Sequence, residues 1–91
     1  MTLDEEIRAL GWALWDPIGL AKLDGGWRGR PYEDEYDRYL TEACDRLARG
    51  ISAEEIVSYL VWVERERMGL RRRTDAKERA SALVAALVQR R

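Results

Sequence analysis

An all-α fold, an irregular or orthogonal bundle of four helices with a long Gly- and Pro-containing loop between helices one and two, is what this sequence predicts. Apolar residues recur at three- and four-residue spacing in four separate segments, and no segment shows sustained period-two alternation or a hairpin turn between β-branched residues. Size bounds the fold further. With 91 residues and 46% apolar content the chain holds one modest core, so residues 1–91 read as a single helical domain.

The elements follow in order. Thr2 with Glu5 fits a capping box, and Leu3, Ile7, Leu10 and Leu14 then form one stripe on a helix of about 12 residues. Gly11 weakens the middle of this helix by up to about 1 kcal/mol relative to Ala. From Trp15 to Pro31 the chain carries both prolines and four of its seven glycines. Unstructured loops of this length are uncommon in compact domains. Trp15, Ile18, Leu20, Leu23 and Trp27 are expected to pin it, each worth about 1.5–3 kcal/mol when buried. Helix two is expected from near Pro31, with Glu33, Asp34 and Glu35 answering the positive end of its dipole. Its stripe is Tyr32, Tyr36, Tyr39, Leu40, Ala43 and Leu47, and Gly50 ends it. Ser52 with Glu55 is a second capping box, opening helix three through Ile56, Val57, Tyr59, Leu60, Val61 and Val63 to Gly69. Thr74 and Asp75 begin helix four, whose stripe is Ala76, Ala80, Leu83, Val84, Leu87 and Val88 ahead of Arg90 and Arg91.

Composition narrows the chemistry. The chain has no His, which removes the commonest general base, the Ser-His and Cys-His nucleophile pairs and the commonest transition-metal ligand. Cys44 is the single cysteine and reads as a small hydrophobe beside the helix-two stripe in a reducing compartment. The expectation is therefore a non-enzyme with no cofactor and no metal site. The acidic first residues lack the basic start of a signal peptide, and the longest apolar run, Ala82 to Val88, is far below the roughly 20 residues of a membrane span. A cytoplasmic location without membrane contact is expected.

Charge is near balance overall, at 16 basic and 17 acidic residues, but uneven along the chain. Residues 1–45 carry 11 acids against 5 bases, and residues 46–91 carry 6 against 11. Such asymmetry allows internal complementarity, head-to-tail association, or two faces for different partners.

Three clusters compete for a functional role. The acids Glu33, Asp34, Glu35, Asp37, Glu42 and Asp45 form either a decoy for a basic surface, such as the groove of a nuclease, or a solvated face that merely suits a helix N-terminus. Arg71, Arg72 and Arg73 lie at the turn between helices three and four, in outline like a basic helix-turn-helix; interleaved Glu64, Glu66, Asp75 and Glu78 offer them local partners instead. Four Trp and four Tyr without Phe suit interfaces or a core whose polar ring atoms find partners. Trp62, off the buried stripe of helix three, and Trp27, in the loop, are the interface candidates.

The run Trp15-Asp16-Pro17-Ile18-Gly19-Leu20, followed by Glu35-Tyr36-Asp37 with Tyr39 and later by Met68-Gly69-Leu70, resembles a group of small bacterial helical proteins of unknown function. That group carries a W-D-P-I-G signature and an E-Y-D on the next helix. The resemblance implies a compact all-helical cytoplasmic domain, with suspected immunity-type roles beside bacterial toxins and no established catalysis. Physically, Asp16 before Pro17 is pushed toward extended backbone, its carboxylate can cap the turn through Ile18, and Gly19 permits a positive φ. Trp15 and Ile18 would pack on Tyr36 and Tyr39, with Asp16 or Asp37 accepting a ring donor. Trp15, Asp16, Pro17, Gly19, Tyr36 and Asp37 thus form a structural signature.

The reading is a protein-binding module of immunity or antitoxin-inhibitor type, meeting a protein such as a toxin or nuclease through Glu33, Asp34 and Glu42, with Trp27 or Trp62 as anchors. The alternatives are a nucleic-acid-binding regulator using Arg71, Arg72 and Arg73, and a homo-oligomer joined through helix four or opposed charges.

Overall fold

The structure, a computed structural model, describes residues 3–20, 26–71 and 73–90. Four helices make the fold: α1 (Glu5–Leu10), α2 (Asp37–Ala48), α3 (Ala53–Trp62) and α4 (Ala76–Gln89), with no strand among the described residues. α1 and α3 each run on into a wide π turn, Gly11–Trp15 and Val63–Arg67. α4 packs against α3 and against the π turn that follows α1, while α2 lies on α3. One core results, built from Trp12, Trp15, Trp27, Tyr36, Leu40, Ile56, Leu60, Val63, Leu83, Val84 and Leu87 with small residues between them.

At the start, Asp4 rather than Thr2 caps α1, its carboxylate accepting the Glu6 amide at 2.8 Å; Thr2 lies outside the described residues. Leu3, Ile7, Leu10 and Leu14 are only half-buried, and the fully buried edge runs through Gly11, Trp12 and Trp15. Gly11 is there for space: a Cβ on it would lie 2.7 Å from a methyl of Leu40, itself wholly buried. The Asp16 amide closes the π turn onto the Gly11 carbonyl at 2.9 Å.

α2 begins six residues later than the sequence suggests. Residues 31–36 form successive tight turns, in which Glu33, Glu35 and Asp37 amides bond the carbonyls of Arg30, Tyr32 and Asp34. Tertiary bonds explain this. In a helix the Glu33 carbonyl would receive the Asp37 amide, but it accepts the Trp12 indole N–H at 3.1 Å instead. Glu33, Asp34 and Glu35 therefore precede α2, and the acid in its first turn is Asp37.

Gly50, at φ 85°, ends α2 as expected, with Ile51 bonding back to Arg46 and Gly50 to Leu47. Ser52 caps α3, its hydroxyl accepting the Glu55 amide at 3.2 Å. Asp75 is the N-cap residue of α4, although its carboxylate serves arginines and not the backbone. Of the α4 stripe, Val88 is the exception: at 45% exposed it faces out, because Leu83, Val84 and Leu87 already fill the strip facing the core. In the loop, Trp15, Pro17 and Trp27 are buried and Leu20 half-buried, whereas Ile18 is exposed and Leu23 lies outside the described residues. No helix among the described residues is long and apolar enough to cross a membrane.

Candidate functional site

Of the signature residues, Trp15, Asp16, Gly19 and Tyr36 meet at one point. Asp16 stands at φ 27°, ψ 65°, not in the extended backbone expected before Pro17 but in a left-handed conformation that Asp tolerates better than most residues. Its Oδ1 accepts the Gly19 and Leu20 amides, each at 3.1 Å, and the Tyr36 hydroxyl at 2.6 Å. That hydroxyl in turn accepts the Ile18 amide at 3.1 Å. Burial, and then the bond to Asp16, push the Tyr36 pKa well above the ordinary phenol range. Rings pack beside this turn: Trp15 meets Tyr36 at 5.4 Å and Tyr39 edge-on at 6.2 Å. Asp37 does not join them. It takes a forked pair from Arg8 at 3.0 and 2.5 Å, and this hydrogen bond above all raises the Arg8 pKa.

A second layer, not anticipated from the sequence, clamps the same turn from α4. Arg79 donates to the Trp15 carbonyl at 2.8 Å, to Glu64 Oε2 at 2.6 Å and to Asp75 at 3.0 Å. Arg73 donates to the Asp16 carbonyl at 3.2 Å and pairs with Asp75. Burial would lower the Arg79 pKa, but its bonds to Glu64 and Asp75 outweigh that and raise it. Asp75 is correspondingly held below its ordinary value, by Arg79 first and Arg73 second. Glu64 is wholly buried. A signal for this existed: Glu64 is four residues past Leu60 and eight past Ile56, on the core stripe and not on a solvated face.

The proposed surface residues separate. Trp27 is a core residue, 8% exposed and stacked on Trp12 at 5.6 Å, with the Arg28 guanidinium over its face, so it cannot serve as a protruding anchor. Trp62 is 52% exposed and stacks on Tyr59. Glu42 is tied to Arg46 at 2.7 Å and to Arg49, which also reaches Asp45. Glu33 accepts the Gly29 amide and lies 3.9 Å from Arg8. Asp34 and Glu35 are exposed and have no ion-pair partner among the described residues.

The basic cluster is largely engaged at home. Arg71 pairs with Glu66 and bonds the Arg65 carbonyl, Arg73 holds Asp75 and Asp16, and Arg72 lies outside the described residues. The two halves also meet, as Arg90 pairs with Asp4 and Glu6. Cys44 is half-buried, and burial raises its thiol pKa. Among the described residues no three Cys, Asp or Glu side chains are grouped to hold a metal ion.

Comparison of the chain with family models, with curated proteins and with solved structures finds no match.

Proposed function

We propose that this chain is a protein-binding domain of the immunity or inhibitor type, working in the cytoplasm of a bacterial cell without catalysis, and that Asp34 and Glu35 receive a basic surface of its partner. One observation carries the reading. Acids on either side of this pair are spent inside the fold, Glu33 and Asp37 near or on Arg8 and Glu42 on Arg46 and Arg49. Asp34 and Glu35 are held out on a turn braced by the Trp12–Glu33 and Gly29–Glu33 bonds, with no such duty among the described residues. Acidic groups held in place without an ion-pair partner of their own, with Arg38 as the nearby cation, steer association and select a complementary partner. The nucleic-acid reading has less behind it, since Arg71 and Arg73 are already paired and phosphate contact needs uncompensated cations.

The test is capture from native cell lysate with and without nuclease, using the wild type beside Asp34→Lys/Glu35→Lys. A protein retained by the wild type through nuclease and lost with the double reversal supports the reading. Retention by both, or loss with nuclease alone, contradicts it.

A further inference from the structure

An open groove of about 1000 Å³ runs between α3 and α4, with Trp62 at its edge. On one side it is lined by Glu54, Val57, Ser58, Val61 and Trp62 of α3 and by Arg65 of the π turn after it, with Ala53 before them and Glu66 after, and Lys77 of α4 lies across from them. Their order has a property that no single residue shows. About a centre between Tyr59 and Leu60 the middle of this face is self-complementary: Glu54 mirrors Arg65, Val57 mirrors Trp62, and Ser58 mirrors Val61, while Ala53 and Glu66 at its ends mirror each other without pairing. Two copies related by a two-fold axis through that centre lay their α3 helices antiparallel and bring each residue opposite its mirror.

The geometry points to this face as the contact surface for a second copy of the chain. Each Trp62 ring would cover Val57 of the other copy, and Glu54 and Arg65 would pair twice, once at each end of the contact. Three further observations fit this occupant. Neither Glu54 nor Arg65 has an ion-pair partner among the described residues, although most arginines of the fold are paired. The small side chains Ser58, Ser81 and Ala85 leave room for a neighbouring helix to approach. An acid at one end and a base at the other suit a copy running the opposite way and repel one running parallel.

Affinity comes from the aromatic anchor and orientation from the charges, because rim ion pairs contribute little and are screened by salt. This surface is separate from the acidic turn, so it stands or falls independently of the function proposed above.

Sedimentation equilibrium of the full chain, from micromolar to millimolar concentration, tests the inference. The wild type should pass from 10.6 kDa to twice that mass, and Trp62→Ala should weaken the association about tenfold or more while leaving the helical circular dichroism unchanged. Glu54→Arg alone and Arg65→Glu alone should each be driven toward monomer, while an equimolar mixture of the two forms a heterodimer, since each then meets its opposite charge. That complementation is something a mere loss of folding cannot produce. A wild type that stays monomeric throughout, a dimer untouched by Trp62→Ala, or single reversals that fail to complement on mixing would each overturn it.

Discussion

The Tyr36 hydroxyl donates to Asp16 Oδ1 at 2.6 Å, joining the turn that closes the first helical segment to the residue that enters α2. Everything that positions the exposed acids depends on this bond and its neighbours. The left-handed Asp16 turns the chain out of the π turn, Tyr36 is thereby fixed in the core, and the tight turns holding Asp34 and Glu35 are stretched between Tyr36 and the Trp12–Glu33 bond.

Asp16→Ala removes three acceptor contacts at once, from Gly19, Leu20 and Tyr36. Hydrogen bonds to a charged group contribute about 1.5–3 kcal/mol each and do not add fully, so the expected loss is about 3 kcal/mol. Asp16→Asn keeps an oxygen acceptor and the tolerance for positive φ, and should lose about half as much. Urea unfolding gives both numbers, and equal losses for the two variants would contradict the assignment.

Gly11→Ala is expected to destabilise the fold by about 1–3 kcal/mol through overpacking, against the gain of up to about 1 kcal/mol that helix propensity alone would give. The cause is Leu40, whose methyls lie 2.7 and 2.8 Å from the added Cβ and which the surrounding core confines. Pairing Gly11→Ala with Leu40→Ala should recover part of the Gly11→Ala penalty, as a coupling energy in a double-mutant cycle.

Removing Arg79 should cost about 3–5 kcal/mol, because the wholly buried Glu64 charge is left uncompensated, and removing Glu64 should cost less, because Arg79 keeps Asp75 and the Trp15 carbonyl. Glu64→Ala and Arg79→Ala are the variants to unfold. Replacing both together, as Glu64→Leu with Arg79→Met, should cost less than Arg79→Ala alone. One reason is that the pair is imperfectly satisfied: Glu64 Oε1 has no hydrogen-bond partner among the described residues.

Alkaline pH should unfold the protein from about pH 9 upward. Cys44, Tyr36 and Tyr59 all have pKa values raised in the folded state, chiefly by burial, from ordinary values of 9.0 for the thiol and 10.0 for the phenols. A raised folded pKa means stability that is complete below the unfolded value and lost as pH climbs through the interval, at up to about 1.4 kcal/mol per pH unit per group. Tyr36→Phe should be less stable at neutral pH and show a shallower alkaline limb. Stability unchanged between pH 8 and pH 11 would contradict the burial of these groups.

The helical class was legible because the cues that set it are local. Ser52 and Gly50 punctuate α2 and α3 through bonds within a few residues, and the α4 stripe from Ala76 to Leu87 is buried as its spacing requires. The start of α2 was not legible, because what overrides helix formation at residues 31–36 is a bond from Trp12, more than 20 residues away along the chain. Trp27 looked exposed for the same reason: its loop position says nothing of Trp12, which it stacks upon. Among the acids, Glu42 had a partner legible in the sequence, Arg46 four residues on in the same helix, whereas Glu33 and Asp34 could not be ranked. Only the placement of Arg8, brought in from α1, separates Glu33 and Asp37, which it holds, from the acids left outward.

The central claim is that Asp34 and Glu35 serve a partner and not the fold, and one paired measurement addresses it: thermal unfolding and nuclease-treated lysate capture on the same preparations of wild type and Asp34→Lys/Glu35→Lys. The account predicts stabilities within about 0.5 kcal/mol of each other together with loss of the captured protein from the reversed chain. A reversed chain that unfolds early, or one that keeps the same captured protein at the same yield, would contradict it.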